Sequence, residues 1–282
     1  MSPRVITHES LTLRFDRGIL EVELHREPAN EIGTKMLEDL EDVVRFYEHH
    51  EGDMRALVLG SSLRRGFSAG ADLRELHRAN AAAQERGASD GERAVLVRGF
   101  LDRIHGVMNA IDRAPFTTIA AVHGVVFGGG FELALACDLI VADRTARFCF
   151  PELRLGLIPG FGGIPRLRRA VGAAVTRDLF LTGRSLGAAR AHEIGLASQL
   201  ASAGQADAVA RRVAEQSLRF DPRATRAALG FLTPDLSSEL EREKEIFCEL
   251  FLSPVVDDAL ARFAADRGAM PYLPAAGKEA SA

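Results

Sequence analysis

The strongest constraint on this chain is a pair of glycine turns, one in FSAGADL at Phe67–Leu73 and one in HGVVFGGGFELALACDLIVAD at His123–Asp143. In each, an apolar run meets glycine or alanine beside a helix start. Those small residues leave backbone N–H groups uncovered, and a helix N-terminus already carries unsatisfied donors and partial positive charge. Two such turns can aim two amides at one developing anion, which makes an oxyanion hole.

Around these turns, strand and helix signals alternate. LTLRF and ILEVELH flank Asp16–Gly18 and predict a hairpin, followed by a helix from about Thr34 to His49. RALVLGS is a buried strand that delivers FSAGADL; FTTIAAVHG is the next strand; a helix opens at about Gly129–Ala136; DLIVAD returns as a strand. Such alternation predicts an α/β architecture. From Ala170 onward, AAVTRDLFLTG, SLGAARAHEIG and ADAVARRVAEQSL read as short amphipathic helices. The predicted division is a core with the active site in residues 1–200 and a C-terminal helical region in 201–282.

Composition excludes several classes. Hydrophobic residues are 47% and charged ones 26%, and 35 basic against 39 acidic residues leave a net charge of −4, which advertises neither nucleic acid nor membrane. Cys137, Cys149 and Cys248 are isolated, which predicts a reducing compartment. MSPRVITHES lacks an apolar signal core and no apolar run approaches membrane-spanning length, so the expectation is a cytoplasmic protein.

Competing active-site classes fail on residue grounds. GFGGIP places Pro165 where a dinucleotide loop needs its last glycine, and neither GxxxxGK[ST] nor GxSxG occurs. His49, His50 and Glu51 lie in a polar stretch and the remaining histidines lack metal spacing, so no metal is expected. RLRRAVG at Arg166–Gly172 is the one concentrated basic run, suited to the phosphates of a ligand or to a solvated helix face.

GADL, the glycine turn with Glu132, ACDLIVAD, PELRLGLIPG and GGIPRL occur in an order that resembles the crotonase superfamily, the enoyl-CoA hydratase/isomerase family, over roughly residues 11–265. The resemblance implies a spiral of ββα units with a C-terminal helical trimerisation region. It implies that Ala71 and Gly129 supply the oxyanion N–H groups and that the Gly160 N–H orients a water. Glu132 and Glu152 match the two glutamates of the family's hydratases, read here as base and acid respectively. Residues Ala69, Gly70, Ala71, Asp72 and Leu73 would hold the adenine end of coenzyme A, and Phe263 would cover its nucleotide. A lysine usual shortly after that aromatic is replaced by Asp266, with Arg267 adjacent.

By this resemblance the chain is a hydro-lyase on a 2-enoyl-CoA, with no tightly bound cofactor beyond the coenzyme A of its substrate, assembled as a homo-trimer or a dimer of trimers. Isomerisation, decarboxylation or thioester hydrolysis on the same scaffold is the alternative, as is a scaffold or RNA-associated role marked by a basic stripe. Each glutamate also has a plain reading, an acid favoured near a helix N-terminus by a few tenths of a kcal/mol.

Two departures stand out. The stretch His77–Arg113 is longer than usual, and ANAAAQERGASDGER has the composition of a mobile surface loop, a lid or an extended helix with a floppy turn. Phe150 stands where a glutamine is common, predicting an apolar setting for Glu152, extended by Phe161, Ile164 and Pro165. His77, Arg78 and Arg86 are the candidates for a positive charge folded over the site.

Overall fold

A computed structural model describes residues 3–265. The first strands form an antiparallel meander: β1 (Arg4–Thr7), β2 (Leu11–Asp16) and β3 (Ile19–Leu24). The predicted hairpin turns on Arg17 and Gly18, at φ 48° and 84°, as a two-residue loop between twisted strands requires. From β3 the sheet continues in parallel through β4 (Ala56–Ser61), β6 (Thr117–Val122) and β8 (Leu139–Asp143) to β11 (Gln199–Ala201). A smaller sheet holds β5 (Gly66–Ser68), β7 (Val125–Phe127) and β9 (Arg147–Cys149) in parallel, with β10 (Leu186–Gly187) antiparallel at its edge.

The central strands are buried on both faces, as parallel strands between helices are. Leu57 and Leu59 of β4 belong to the main core, which also takes Met36, Leu37 and Leu40 of helix α1 (Thr34–His49). Ala56 and Val58 point the other way, into a second cluster.

The stretch expected as either a mobile loop or an extended helix with a floppy turn is two helices joined by a short turn, α2 (Leu73–Glu85) and α3 (Asp90–Asp112), so the helical alternative holds. Its alanines are strong helix formers, and the breaks fall where the caps are. Asp72 caps α2 through the Glu75 N–H, Gly87 takes φ 73° after its end, and Ser89 with Glu92 forms a reciprocal capping box for α3. Val97, Leu101, Ile104 and Met108 then fall on one buried face.

Beyond α4 (Gly129–Leu135), the long α5 (Gly163–Thr182) carries a break at Gly172, φ 78°. Short α6 (Ala188–Glu193) leads to α7 (Ala206–Ser217), whose Ala206, Ala210 and Ala214 recur every fourth residue and complete the second cluster against the sheet. Last come α8 (Pro222–Leu232), α9 (Ser237–Phe251) and α10 (Pro254–Ala265). Among the described residues no helix is long and apolar enough to cross a membrane.

The basic run at Arg166–Gly172 is not a free patch. Arg166 is fully buried against Asn109 and Asp112, Arg169 pairs with Asp112, and Arg168 pairs with Glu239. Cys137 and Cys149 are buried, and desolvation pushes both thiols up. His8, Asp39 and Asp42 bring ligand-type atoms within 4.8 Å of one another, but Lys35 Nζ lies 3.1 Å from Asp39 and already serves that acidic group.

Candidate active site

The two glycine turns leave adjacent parallel strands, β5 and β7, and so emerge side by side. Gly128, at φ 48°, bends the chain into α4 in a conformation that side-chain-bearing residues rarely adopt. A Cβ on Gly70 would come within 2.9 Å of the Gly129 nitrogen and 2.7 Å of the Phe127 oxygen, so the turns touch only because Gly70 has none.

Their amides remain available. Ile32 donates to the Gly70 carbonyl (2.7 Å) and accepts from the Asp72 N–H (3.0 Å), which turns the intervening Ala71 N–H away from that pairing. Gly129 is the first residue of α4 and has no helical acceptor. Both line a cavity of about 380 Å³, as do Glu132, Glu152 and Gly160.

The two glutamates sit in contrasting settings. Glu132 projects from the first turn of α4 and is 2% exposed. Its Oε1 accepts the N–H groups of Phe161 (2.7 Å) and Gly163 (2.8 Å), at the N-terminus of α5. Burial raises its carboxyl well above the ordinary range, the Glu152 charge adds to this, and the two amides pull the other way. Glu152 starts a single 3-10 turn, Glu152–Leu155, after Pro151. Its Oε2 is buried with no hydrogen-bond partner, and burial raises this carboxyl too. An unpartnered oxygen favours the protonated acid, whereas two amide donors favour a carboxylate.

Three further groups support this region; Glu243 and His105 carried no local sequence signal, and Arg166 was visible only as part of the basic run. Glu243 of α9, 3% exposed, accepts the Gly162 N–H (2.7 Å) and the Ile164 N–H (2.8 Å), so it alternates with Glu132 along four consecutive amides. Burial raises its carboxyl, with the Glu132 charge next in effect. Arg166 donates to the Phe161 carbonyl (3.0 Å) and lowers both carboxyls by its charge. His105 of α3 meets the Gly160 carbonyl oxygen at 2.8 Å.

The remaining predicted residues are placed as follows. Ala69 donates its N–H to the Ala29 carbonyl (2.9 Å), and Leu73 is buried at the start of α2. The Asp72 carboxylate is occupied, capping α2 and pairing with Arg26 at 2.9 Å. Phe263 is buried with the Arg74 guanidinium 4.4 Å over its ring. Asp266 and Arg267 lie outside the described residues.

Phe150 requires a correction. It is 1% exposed, stacks on Phe131 and Phe180 at 4.6 Å each, and does not line the cavity. Ile164 and Pro165 do not line the cavity either, whereas Phe161 does. The apolar walls come instead from α2, α3 and α9, through Leu76, Ala83, Val97, Phe100, Leu101 and Phe247. Of the cations expected over the site, Arg86 reaches the cavity, and His77 and Arg78 do not line it. At the far end Arg93 is 7% exposed, bonded to Asn80 (2.9 Å) and to both Asp257 oxygens (3.0 and 3.2 Å).

Comparison with known proteins identifies the family. The family described as enoyl-CoA hydratase/isomerase matches residues 14–267. A probable enoyl-CoA hydratase of Rhizobium meliloti is 32% identical over 94% of this chain and 98% of its own length. The human enoyl-CoA hydratase domain-containing protein 2, mitochondrial, is 37% identical over 80% of this chain and 74% of its own. A crystal structure of enoyl-CoA hydratase from Bacillus anthracis superposes with a TM-score of 0.71 at 29% identity, covering 87% of this chain and 92% of that one. The fold is thus that of the crotonase superfamily. The chain belongs to the enoyl-CoA hydratase/isomerase family.

Proposed function

We propose that the chain is a hydro-lyase that adds water across C2=C3 of a 2-enoyl-CoA thioester. Glu132 takes a proton from water as its oxygen bonds to C3. Electrons move toward the thioester oxygen, where the Ala71 and Gly129 N–H groups receive the charge. Glu152 then delivers a proton to C2. The net change is OH on C3 and H on C2, and the two carboxyls return to their starting states by exchanging that proton with solvent. The Gly160 N–H orients the water. Removing one oxyanion donor in a well-studied hydrolase costs roughly 2.7–4 kcal/mol, so two donors supply a large share of the barrier reduction.

The observation that carries this reading is the contrast between the carboxyls: Glu132 held by two amides and Glu152 with a buried, unpartnered Oε2, facing one cavity. No cofactor beyond the coenzyme A of the substrate enters the scheme. Ala69–Leu73 and Phe263 are proposed to hold that coenzyme A, in the cytoplasm. We also propose a homo-trimer or dimer of trimers; α8 supports it, with no buried residue and with Phe231 and Leu232 90% and 71% exposed.

The acyl tail is proposed to run between α2 and α3. Ala71 lies just ahead of α2, and Phe100 of α3 packs on Phe161 beside the glutamates at 5.9 Å between ring centroids. Both helices carry the cavity away from there. Of the two cations that line it among the described residues, Arg93 is already paired with Asp257, and Arg86 stands exposed at the C-terminal end of α2, where solvent screens its charge from a substrate carboxylate. Burying an unpaired carboxylate costs several kcal/mol, so apolar substrates should exceed a carboxylated one by more than about tenfold in kcat/KM. Loss of the conjugated enoyl absorbance is the assay, run with crotonyl-, 2-decenoyl- and 3-methylglutaconyl-CoA. A preference for the last would overturn the substrate reading, and double-bond migration without hydration would overturn the reaction.

A further inference from the structure

We infer that His105 is a positioning residue for the Glu132 carboxylate, acting through a single peptide group. The inference rests on the reading of Glu132 as the base. His105 lies in α3 and is 3% exposed, and its Nε2 is 2.8 Å from the Gly160 carbonyl oxygen. A carbonyl only accepts, so Nε2 carries the hydrogen. The N–H of that same Gly160–Phe161 peptide is the Phe161 N–H, which donates to Glu132 Oε1 at 2.7 Å. Imidazole donor, peptide group and carboxylate therefore form one hydrogen-bonded chain.

The first consequence is mechanical. The Gly160–Phe161 peptide follows Pro159 and precedes Gly162, at φ 101°, in a stretch outside any helix or strand. Its own residues offer little resistance to rotation of the peptide plane, which would swing the Phe161 N–H off Glu132. His105 holds the carbonyl end, Glu132 holds the N–H end, and Glu243 holds the next amide at 2.7 Å. These anchors come from α3, α4 and α9, far apart in the chain.

The second consequence is electronic. Donation into a carbonyl polarises the attached N–H and strengthens its bond to the carboxylate, by about 10–30% per link in condensed-phase estimates. Burial lowers the imidazole pKa to about 4; the Gly160 bond and Asp102 oppose this, and Arg166 and Lys244 reinforce it. The ring is thus a neutral donor throughout the physiological range. It touches no substrate and transfers no proton. The groups facing Glu132 itself are Glu152 from the 3-10 turn, Arg166 from α5 and Glu243 from α9.

The test measures kcat and KM for crotonyl-CoA hydration from about pH 5 to 9 in the full-length wild type, His105→Leu, His105→Gln and Glu132→Gln. His105→Leu removes the donor. It should lower kcat by about tenfold or more while KM stays within about twofold, since misplacement of one group is felt in turnover. The limb of the kcat/KM profile that reports the base should move up by at least about half a pH unit, because a weaker amide donor favours the carboxylate less. His105→Gln, whose amide reaches the same carbonyl, should restore the limb and most of kcat. A folded Leu variant with wild-type kcat and an unmoved limb overturns the inference. So does a Gln variant no better than Leu, which makes His105 a packing residue. If Leu fails to fold, Gln against His105→Asn carries the comparison: a displaced limb in Asn alone supports the inference, and equal profiles overturn it. Full activity in Glu132→Gln sinks the hydration mechanism and this inference with it, whereas an inactive Glu132→Gln beside an unaffected His105→Leu sinks the role of His105 alone.

Discussion

Replacing Glu132 in two ways separates chemistry from architecture. In Glu132→Gln the carbonyl oxygen can still accept the Phe161 and Gly163 N–H groups, so the turn keeps its anchor while the titrating oxygen is lost. Turnover should fall by about 10²–10⁴, the usual contribution of a general base, with KM nearly unchanged. Glu132→Ala instead orphans two buried donors. At about 1–3 kcal/mol for each unsatisfied group, the loss is about 2–6 kcal/mol before any cavity term. At about 2–4 °C per kcal/mol for a chain of this size, that is a fall in Tm of roughly 4–24 °C. Crotonyl-CoA hydration followed by absorbance and melting followed by circular dichroism read the two effects separately. The reasoning is refuted if Gln hydrates at the wild-type rate, or if Gln lowers Tm as much as Ala does.

Three other outcomes are open to measurement. Gly129→Pro removes a proposed oxyanion donor and adds a Cβ that would sit 2.6 Å from the Phe161 ring, so hydration should collapse; a folded, active variant places the hole elsewhere. Burial raises the Glu152 carboxyl, so the folded chain holds a proton there that the unfolded chain releases. That contribution is complete below the unfolded carboxylate pKa and is lost as pH rises toward the raised value. The wild-type Tm should therefore fall more steeply between about pH 5 and 8 than that of Glu152→Gln, and equal slopes argue against a protonated Glu152. Light scattering at micromolar concentration should give a trimer or hexamer, and a monomer alone rejects the proposed assembly.

What could be read from the residues alone was whatever is settled within a few positions along the chain. The hairpin at Arg17–Gly18 and the glycine turns of Phe67–Leu73 and His123–Asp143 depend on local φ and on strand and helix starts a few residues away. Glu132 was legible for the same reason, sitting in the first turn of the helix those glycines open. Local reading failed where neighbours in sequence part in space. Phe150 is two residues from Glu152, yet its ring stacks between Phe131 and Phe180. The small residues after His77 left a loop and an extended helix equally open by composition; alanine propensity, the Ser89–Glu92 box and burial of Val97 and Leu101 against the core decide for helices. His105 and Glu243 lie 55 and 81 residues from the carbonyl and amide they anchor. Their one-residue patterns resemble any helix face, and their importance arises only when tertiary packing excludes water from the Gly160–Ile164 turn, leaving its amides and carbonyl to be satisfied by protein groups.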